Sequence, residues 1–487
     1  MELTSSERAM RRNFGFDAIG ALGTGLFNAL VTNFLSVIAR REGADPLLLA
    51  AIVAAPFAAN MLSIFSGFWV PGDRRRVHYV SAMLVLGRAL FCLALLTTAP
   101  WALLAMSFGL FLTQALSAPL QVDIWRGAYP QRLRARALGY LRVIQTASGA
   151  LAAPLGGLLI ERLGPGALVG LGAGLGMAGA AGLSQVRSGT VTATHRFTPL
   201  GSLRVLKDEP AYRGLVVAWF VWGLGSFMAA PLYALVLVDR FQASYADIGI
   251  LQLVGAASGL LAYLVLGQHL DRRGGFGATP LGMLMVGLVP IVYLVAPSLP
   301  LLGAAFVLQS VGNGAIDLGW QVALLARVSD EHRLRYQAAH TSITGLRGVA
   351  APFLGSLAIS LGLGIGVALV TSGLLALIGT LVMARSLGLS VRDVPLWGPT
   401  SRACRLTTGA LGTVLANARR PRGDLVVGHR ILGERAHVAV AQALDVEQVL
   451  LARQDRPVAD TVAGRRSAHR VAQAAQQVVH DPARHPL

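Results

Sequence analysis

Hydrophobic positions along the chain gather into twelve long segments, which short polar stretches separate. A helix of about 20 predominantly apolar residues is long enough to cross the hydrocarbon core of a membrane. We number the segments as spans 1 to 12 and predict them at residues 14–38, 47–69, 78–98, 101–124, 140–160, 166–186, 213–238, 247–268, 278–296, 301–325, 338–360 and 364–384. The pattern predicts an all-α membrane protein with twelve transmembrane helices.

The composition supports a membrane protein rather than a soluble one. Of the 487 residues, 54% are hydrophobic and only 14% are charged, and the mean hydropathy is +0.59. That leaves too little polar surface for an ordinary soluble domain. The net charge of +18 falls mainly in short loops and in the C-terminal tail, so we expect a lipid membrane and no nucleic acid as partner.

The basic residues also predict how the chain is oriented. The loops predicted to lie on the same side of the membrane as the N-terminus hold 21 basic residues. The loops on the other side hold four, namely Arg40, Arg41, Arg162 and Arg240. Because loops rich in arginine and lysine stay in the cytoplasm, we expect a multi-pass protein of the cell (cytoplasmic) membrane with both termini cytoplasmic. The first apolar run is longer than the core of a signal peptide, so we expect it to be retained as span 1.

An internal repeat relates the two halves of this hydrophobic region. Moving back 198 positions from Asp271 leads to Asp73, which also lies in an arginine-rich turn between two apolar segments. The same offset pairs Phe306 with Phe108. Inverted or parallel repeats of this size are typical of transporters.

The repeat divides the chain into parts of different character. We predict six-helix halves at residues 1–198 and 199–386, with the polar linker between them near residues 187–212. Residues 387–487 hold no segment long enough to cross a membrane. We expect them to form a cytoplasmic tail that is disordered or weakly helical, or to derive from an accidental reading frame.

The turn after span 8 carries the resemblance to a known family. Its sequence Gly267-Gln-His-Leu-Asp271-Arg272-Arg273-Gly274 resembles the cytoplasmic loop motif of the major facilitator superfamily of transporters. The copy at Asp73 and Arg74 is degraded, because Arg76 stands where the motif has glycine. The resemblance implies a secondary transporter whose spans 1, 4, 7 and 10 line a central cavity. It also implies a cytoplasmic gate, whose residues would be Asp73, Arg74, Gly267, Asp271, Arg272 and Gly274.

Polar residues recur at helical spacing on the four spans that the resemblance places around the cavity. Such residues are costly in lipid, and they usually face a cavity or another helix. On span 10 they occur every four residues, so they share one face of the helix. The candidate substrate-binding residues are Asn28, Gln114, Trp222, Tyr233, Gln309, Asn313 and Asp317. Ordinary hydrogen bonding between helices is the alternative for each of them.

Three charged residues are predicted deep within the membrane: Arg88, Asp317 and Arg347. At 1.5 Å per residue, Asp317 and Arg347 lie at the same depth on consecutive spans, about 12–13 Å from the inner surface. They could therefore form a structural ion pair. Alternatively, Asp317 titrates or binds a cationic substrate, and Arg347 senses the change.

Motifs for cofactors and catalysis are missing or lie in the wrong context. Gly174-Leu-Gly176-Met-Ala-Gly179 matches a dinucleotide-binding pattern, but no strand precedes it, so we predict close helix packing instead. There is no phosphate-binding loop, zinc motif or nucleophile elbow in the sequence. We therefore expect no cofactor, no metal and no enzymatic activity.

The direction of transport is suggested by span 5. Its stretch Gly149-Ala-Leu-Ala-Ala153-Pro154-Leu-Gly156-Gly157 partly resembles the glycine-proline motif of antiporters in this family, which implies export. Span 4 lacks the arginine that proton-coupled exporters place there, so either a proton or a sodium ion could be coupled. We predict a monomeric secondary active transporter that exports a small organic solute. An importer, a non-transporting membrane sensor and an integral-membrane enzyme are the alternatives.

Overall fold

The computed structural model describes residues 5–62, 76–188, 210–273, 277–327 and 333–388. Span 1 combines Ser5–Phe27, a π-helical turn Asn28–Thr32 and the short helix Leu35–Arg41. Spans 2 to 6 are Pro46–Leu62, Arg76–Ala89 with a 3-10 extension Leu90–Leu95, Pro100–Ala128, Gln131–Leu163 and Pro165–Gly182. Spans 7 to 12 are Pro210–Leu235 with a π-helical turn Val236–Arg240, Tyr245–Arg273, Ala278–Val295, Leu299–Arg327, Arg333–Ser360 and Gly364–Ser386.

Eleven helices within these described ranges are long and apolar enough to cross a membrane. Span 2 is shorter, and its helix Pro46–Leu62 ends where the first described range ends. The described regular structure is entirely helical, so the all-α prediction is confirmed and eleven of the twelve predicted spans are present at full length. The tail, residues 387–487 of the prediction, lies outside the described residues except for Leu387 and Gly388.

Large apolar side chains cover the outer surface of the helices. Leu261 is 62% exposed, and Trp101 and Leu151 are each 71% exposed. At about 25 cal/mol per Å² of apolar surface, such exposure would be costly in water but is favourable in lipid. The surface chemistry therefore agrees with a chain that is surrounded by a bilayer.

Helix contacts in the first half recur six spans later in the second half. Span 1 packs on spans 5 and 6, and span 7 packs on spans 11 and 12 in the same way. Spans 3 and 4 pack together, as do spans 9 and 10. Between the halves, span 5 packs on span 8 and span 2 packs on span 11. The contacts between the halves are therefore also related by the repeat.

Glycines allow the closest of these helix crossings. A side chain at Gly23 or Gly179 would collide with the backbone of the other residue, since spans 1 and 6 touch there. Gly176 is packed against Phe27 and the Arg88 side chain, whereas Gly174 has open space around it. The prediction of close helix packing is confirmed for Gly176 and Gly179.

Helix ends differ from the predicted boundaries because polar residues extend the helices beyond the apolar segments. Span 5 begins at Gln131 rather than near residue 140, and span 1 begins at Ser5 rather than near residue 14. Within span 1, the π-helical turn Asn28–Thr32 also disturbs the regular four-residue spacing of its polar residues. A wider turn shifts the register of the helix at this point.

Candidate functional site

A pocket of about 300 Å³ lies between spans 7, 9 and 10. Four of its nine lining residues are aromatic, and the Tyr233 and Tyr293 rings stack with their centroids 4.2 Å apart. The pocket is lined by Ser226, Phe227, Ala230, Tyr233, Val289, Tyr293, Ala305, Phe306 and Gln309. Two predicted substrate-binding residues, Tyr233 and Gln309, are thus brought together from different spans.

Prolines lie within both helices that supply the tyrosines. Pro231 interrupts span 7 two residues before Tyr233, and Pro290 interrupts span 9 three residues before Tyr293. A proline in a helix has no N–H for the bond to the carbonyl four residues earlier. Membrane helices tolerate this loss where neighbouring helices or a cavity accommodate the freed carbonyl.

The polar face of span 10 continues from the pocket toward the end of that span. Gln309, Asn313 and Asp317 follow one another at intervals of four residues and share this face. Asn313 and Asp317 are exposed, and the Asp317 carboxylate accepts a 2.8 Å hydrogen bond from the Tyr263 hydroxyl on span 8. The guanidinium of Arg142, on span 5 of the other half, interacts electrostatically with the same hydroxyl.

The predicted ion pair between Asp317 and Arg347 is absent from the described contacts. Arg347 is buried, and it donates a hydrogen bond to the backbone oxygen of Trp219 rather than to a carboxylate. Equal depth along two helices does not determine which way each side chain points. Asp317 faces span 8 and Arg347 faces span 7, so the pairing prediction is corrected.

Arg347 instead occupies an aromatic cage inside the second half. Its guanidinium carbon lies 4.9, 5.7 and 5.3 Å from the ring centroids of Trp219, Trp222 and Phe227. These are distances at which the negative ring faces stabilise a cation. The guanidinium fills the space that a side chain at position 223 would need, and Gly223 leaves it free.

Arg88 has a comparable position in the first half. It is 4% exposed, and it donates hydrogen bonds of 2.8 Å to the Gly176 backbone oxygen and 2.7 Å to Thr24 Oγ1. Its guanidinium therefore ties span 3 to spans 6 and 1. This placement favours a structural role for Arg88 over the predicted coupling role.

The other predicted substrate residues lie apart from the pocket. Trp222 is 5% exposed, and its indole donates a 3.0 Å hydrogen bond to the Met283 backbone oxygen on span 9, which favours packing over substrate contact. Asn28 begins the π-helical turn of span 1 and Gln114 lies within span 4. Both are half-buried in the first half, and neither is among the residues that line the pocket.

The predicted gate residues cannot be compared with the structure. Asp73, Arg74 and Gly274 lie outside the described residues. The backbone of Gly267, Asp271 and Arg272 belongs to the end of span 8, but their side chains also lie outside the described part. Their gating role stays a prediction.

Contacts at the opposite membrane face were not predicted. We call this the distal face, formed by the end of span 1, the end of span 7 and the start of span 8. There Arg40 pairs with Asp239 at 2.8 Å, and the Arg41 guanidinium lies 3.9 Å from the centroid of the Tyr245 ring. The only sequence signal was the occurrence of charged residues in two short loops that the repeat relates.

Metal ligands do not cluster in the part of the chain that the structure describes. Within it, no group of three or more His, Cys, Asp or Glu side chains is arranged to hold a metal ion.

Comparison with protein families identifies the class of protein. The family model described as Major Facilitator Superfamily matches residues 18–298, which is more than half of the 487 residues. The chain belongs to this family of transporters. It is a multi-pass membrane protein, and its family indicates a transporter rather than an enzyme. No curated protein matches the sequence.

Solved structures show the same fold at low sequence identity. The nucleoside transporter NupG is 13% identical with a TM-score of 0.61, and the match covers 78% of this chain and all of NupG. A bacterial homologue of the human lysosomal transporter Spinster is 15% identical with a TM-score of 0.55, covering 82% of this chain and 100% of the other. The human organic anion transporter MFSD10 is 15% identical with a TM-score of 0.53, and the match covers 77% of this chain and 99% of MFSD10.

Proposed function

We propose that this chain is a secondary active transporter that exports a small organic solute from the cytoplasm by alternating access. The observation that carries the proposal is the continuous polar face of span 10. It starts at Gln309 in the aromatic pocket and ends at Asp317, which accepts a hydrogen bond from Tyr263 of span 8. A sensor would not need such a path, whereas a transporter needs one that both halves can close.

The chemistry of this face suggests the kind of solute. Aromatic and aliphatic side chains line the pocket together with two neutral polar ones, Ser226 and Gln309, and none of the described lining residues is charged. Farther along span 10, Asp317 offers a negative charge, and Arg142 from the opposite half offers a positive one. We infer a solute with an apolar or aromatic body and a polar end that reaches Asp317.

The distal contacts support alternating access between the two halves. Arg40 and Asp239 join spans 1 and 7, and the Ala246 backbone N–H of span 8 donates a 3.2 Å hydrogen bond to Glu161 on span 5. These contacts close the distal face in this arrangement. If the arginine-rich loops are cytoplasmic, as we propose, the solute path is then closed toward the outside.

Transport by the purified full-length protein in sealed vesicles tests this function. Nucleosides, peptides and organic anions belong in the compound panel, because they are named for structural neighbours. With pH and sodium gradients imposed separately, we expect saturable, gradient-dependent accumulation of at least one compound in inside-out vesicles. Accumulation only in right-side-out vesicles would indicate an importer, and passive equilibration without accumulation would contradict secondary active transport.

A further inference from the structure

Asp17 on span 1 is a buried acid that is not among the residues predicted from helical spacing. It is 7% exposed, and it is the one buried Asp or Glu among the side chains that the structure describes. Its carboxyl accepts a hydrogen bond from the hydroxyl of Tyr129, which follows the last residue of the span 4 helix and is 2% exposed. The indole of Trp125 lies beside the same carboxyl but makes no geometrically ideal hydrogen bond to it.

The described surroundings of this carboxyl are largely apolar, and no described cation forms an ion pair with it. Tyr129 belongs to a buried cluster with Val80, Ile124, Leu183 and Val186. The described charged or titratable residues on the adjoining parts of these elements are Arg12 on span 1, Arg76 and His78 on span 3, Asp123 and Arg126 on span 4, Arg134 and Arg136 on span 5 and Arg187 after span 6. The described ion pairs include none between Asp17 and any of these groups.

Two of these groups, Arg126 and Arg134, have other partners. Arg126 lies 3.7 Å from Asp123, and Arg134 donates hydrogen bonds to the backbone oxygens of Arg126 and Tyr129. An ionised carboxylate that is buried without a cation costs several kcal/mol, and it commonly takes up a proton instead. A protonated carboxyl suits this site because the phenol can both donate and accept a hydrogen bond.

A second contact on the same helix face shows what this carboxyl holds in place. The side chain of Asn13, four residues before Asp17, accepts a 2.9 Å hydrogen bond from the Arg187 N–H and donates one of 2.9 Å to the Arg187 backbone oxygen. Asn13 thus ties span 1 to the point where the chain leaves span 6. Asp17 ties it to the end of span 4, so the two side chains hold three helix ends together.

We propose that Asp17 is a proton-binding site, whose carboxyl carries a proton while spans 1 and 4 are packed together. When these helix ends separate and water reaches the carboxyl, the proton leaves to water and the carboxylate remains. The Asp17–Tyr129 contact would then couple proton binding to the packing of the N-terminal side of the first half. This consequence for transport rests on the proposed function, but the proton site itself does not.

Infrared spectroscopy of the full-length protein in lipid nanodiscs tests the site without any substrate. We expect a carbonyl stretch of a protonated carboxyl that disappears reversibly as the pH is raised. It should be absent from Asp17→Asn and shifted in Tyr129→Phe, which removes the hydrogen-bond donor. The exposed acid Glu42 supplies the matched control, since Glu42→Gln should leave the band unchanged.

Identical spectra of the unmodified protein and Asp17→Asn across the pH range would show that Asp17 stays ionised. If Asp17→Asn does not fold, an unshifted band in folded Tyr129→Phe would overturn the assignment. In transport assays, Asp17→Asn should reduce the rate driven by a pH gradient at least tenfold. An unchanged rate would overturn the proposed coupling. Failure of the unmodified protein to transport would count against the proposed function alone.

Discussion

The guanidinium of Arg40 at the end of span 1 donates two hydrogen bonds to the carboxylate of Asp239 at the end of span 7. They measure 3.0 Å from Nε and 2.8 Å from Nη2. Two parallel bonds of this kind fix the orientation of both groups. Because the residues belong to different halves, this contact must break whenever the distal face opens. It therefore provides a way to alter the balance between conformations without changing the solute path.

Breaking this contact should favour opening of the distal face. The two side chains are 27% and 45% exposed, so water screens their attraction, and a contribution of about 1 kcal/mol or less is expected. Asp239→Asn should therefore shift the conformational equilibrium by about fivefold at most. Spin labels on the distal ends of spans 1 and 7 would report the change as a longer distance.

The reversed pair Arg40→Asp with Asp239→Arg should restore the original distance distribution, while each single variant should not. Glu42→Gln serves as the control for removing one nearby charge. If Asp239→Asn leaves the distances unchanged, the ion pair does not stabilise closure.

A side chain at position 223 should disrupt the aromatic cage around Arg347. Gly223→Ala places a methyl group where the guanidinium now lies, and overpacking of this kind costs about 1–3 kcal/mol. We expect a lower thermal unfolding midpoint in detergent. Gly174→Ala is the matched control because nothing lies within 4 Å of a side chain there.

The same collision predicts a rescue. In an Arg347→Leu background the guanidinium is gone, so adding Gly223→Ala should cause little further loss of stability. Equal unfolding midpoints for Gly223→Ala and Gly174→Ala in the unmodified background would show that the cage can rearrange at no cost.

Asp317 should be functionally coupled to Tyr263 and independent of Arg347. The hydrogen bond joins the first two residues, whereas Arg347 contacts a different span. We expect Asp317→Asn to reduce transport strongly, with no recovery when Arg347→Gln is added. The effects of these two substitutions on the activation free energy of transport should add to within about 0.5 kcal/mol, as for sites that share no contacts.

Combining Asp317→Ala with Tyr263→Phe should give less than the sum of the two effects, because either change alone removes their hydrogen bond. Rates are compared at equal membrane abundance. Recovery of transport in the Asp317→Asn, Arg347→Gln variant would instead support an ion pair between those residues.

Filling the pocket should weaken solute binding. Ala230 lines it, and Ala230→Leu adds three carbon atoms to a half-buried position. We expect the KM of transport to rise roughly tenfold, equivalent to about 1.4 kcal/mol, with normal membrane insertion. Ala181→Leu, at an exposed position on span 6 outside the pocket, should leave the KM unchanged. An unaltered KM in Ala230→Leu would place the solute elsewhere.

The sequence alone was enough to predict the number and type of most elements. Runs of apolar residues such as 278–296 and 364–384 predict the helices Ala278–Val295 and Gly364–Ser386 closely, because a membrane admits few structures besides such helices. The repeat at an offset of 198 likewise pointed to the family before any contact was known. Helix ends were less accurate, since Gln131 to Gly139 remain helical although many of these residues are polar.

The direction of each side chain depended on tertiary structure. Helical periodicity placed Gln309, Asn313 and Asp317 on one face of span 10, but it could not tell that Asp317 meets Tyr263 and that Arg347 meets Trp219. Depth along a helix is a local property, which rise per residue determines. Partner choice depends on helix rotation and on which helices become neighbours. For that reason the Arg40–Asp239 contact and the Asp17–Tyr129 contact, both between distant parts of the chain, appeared only in the folded structure.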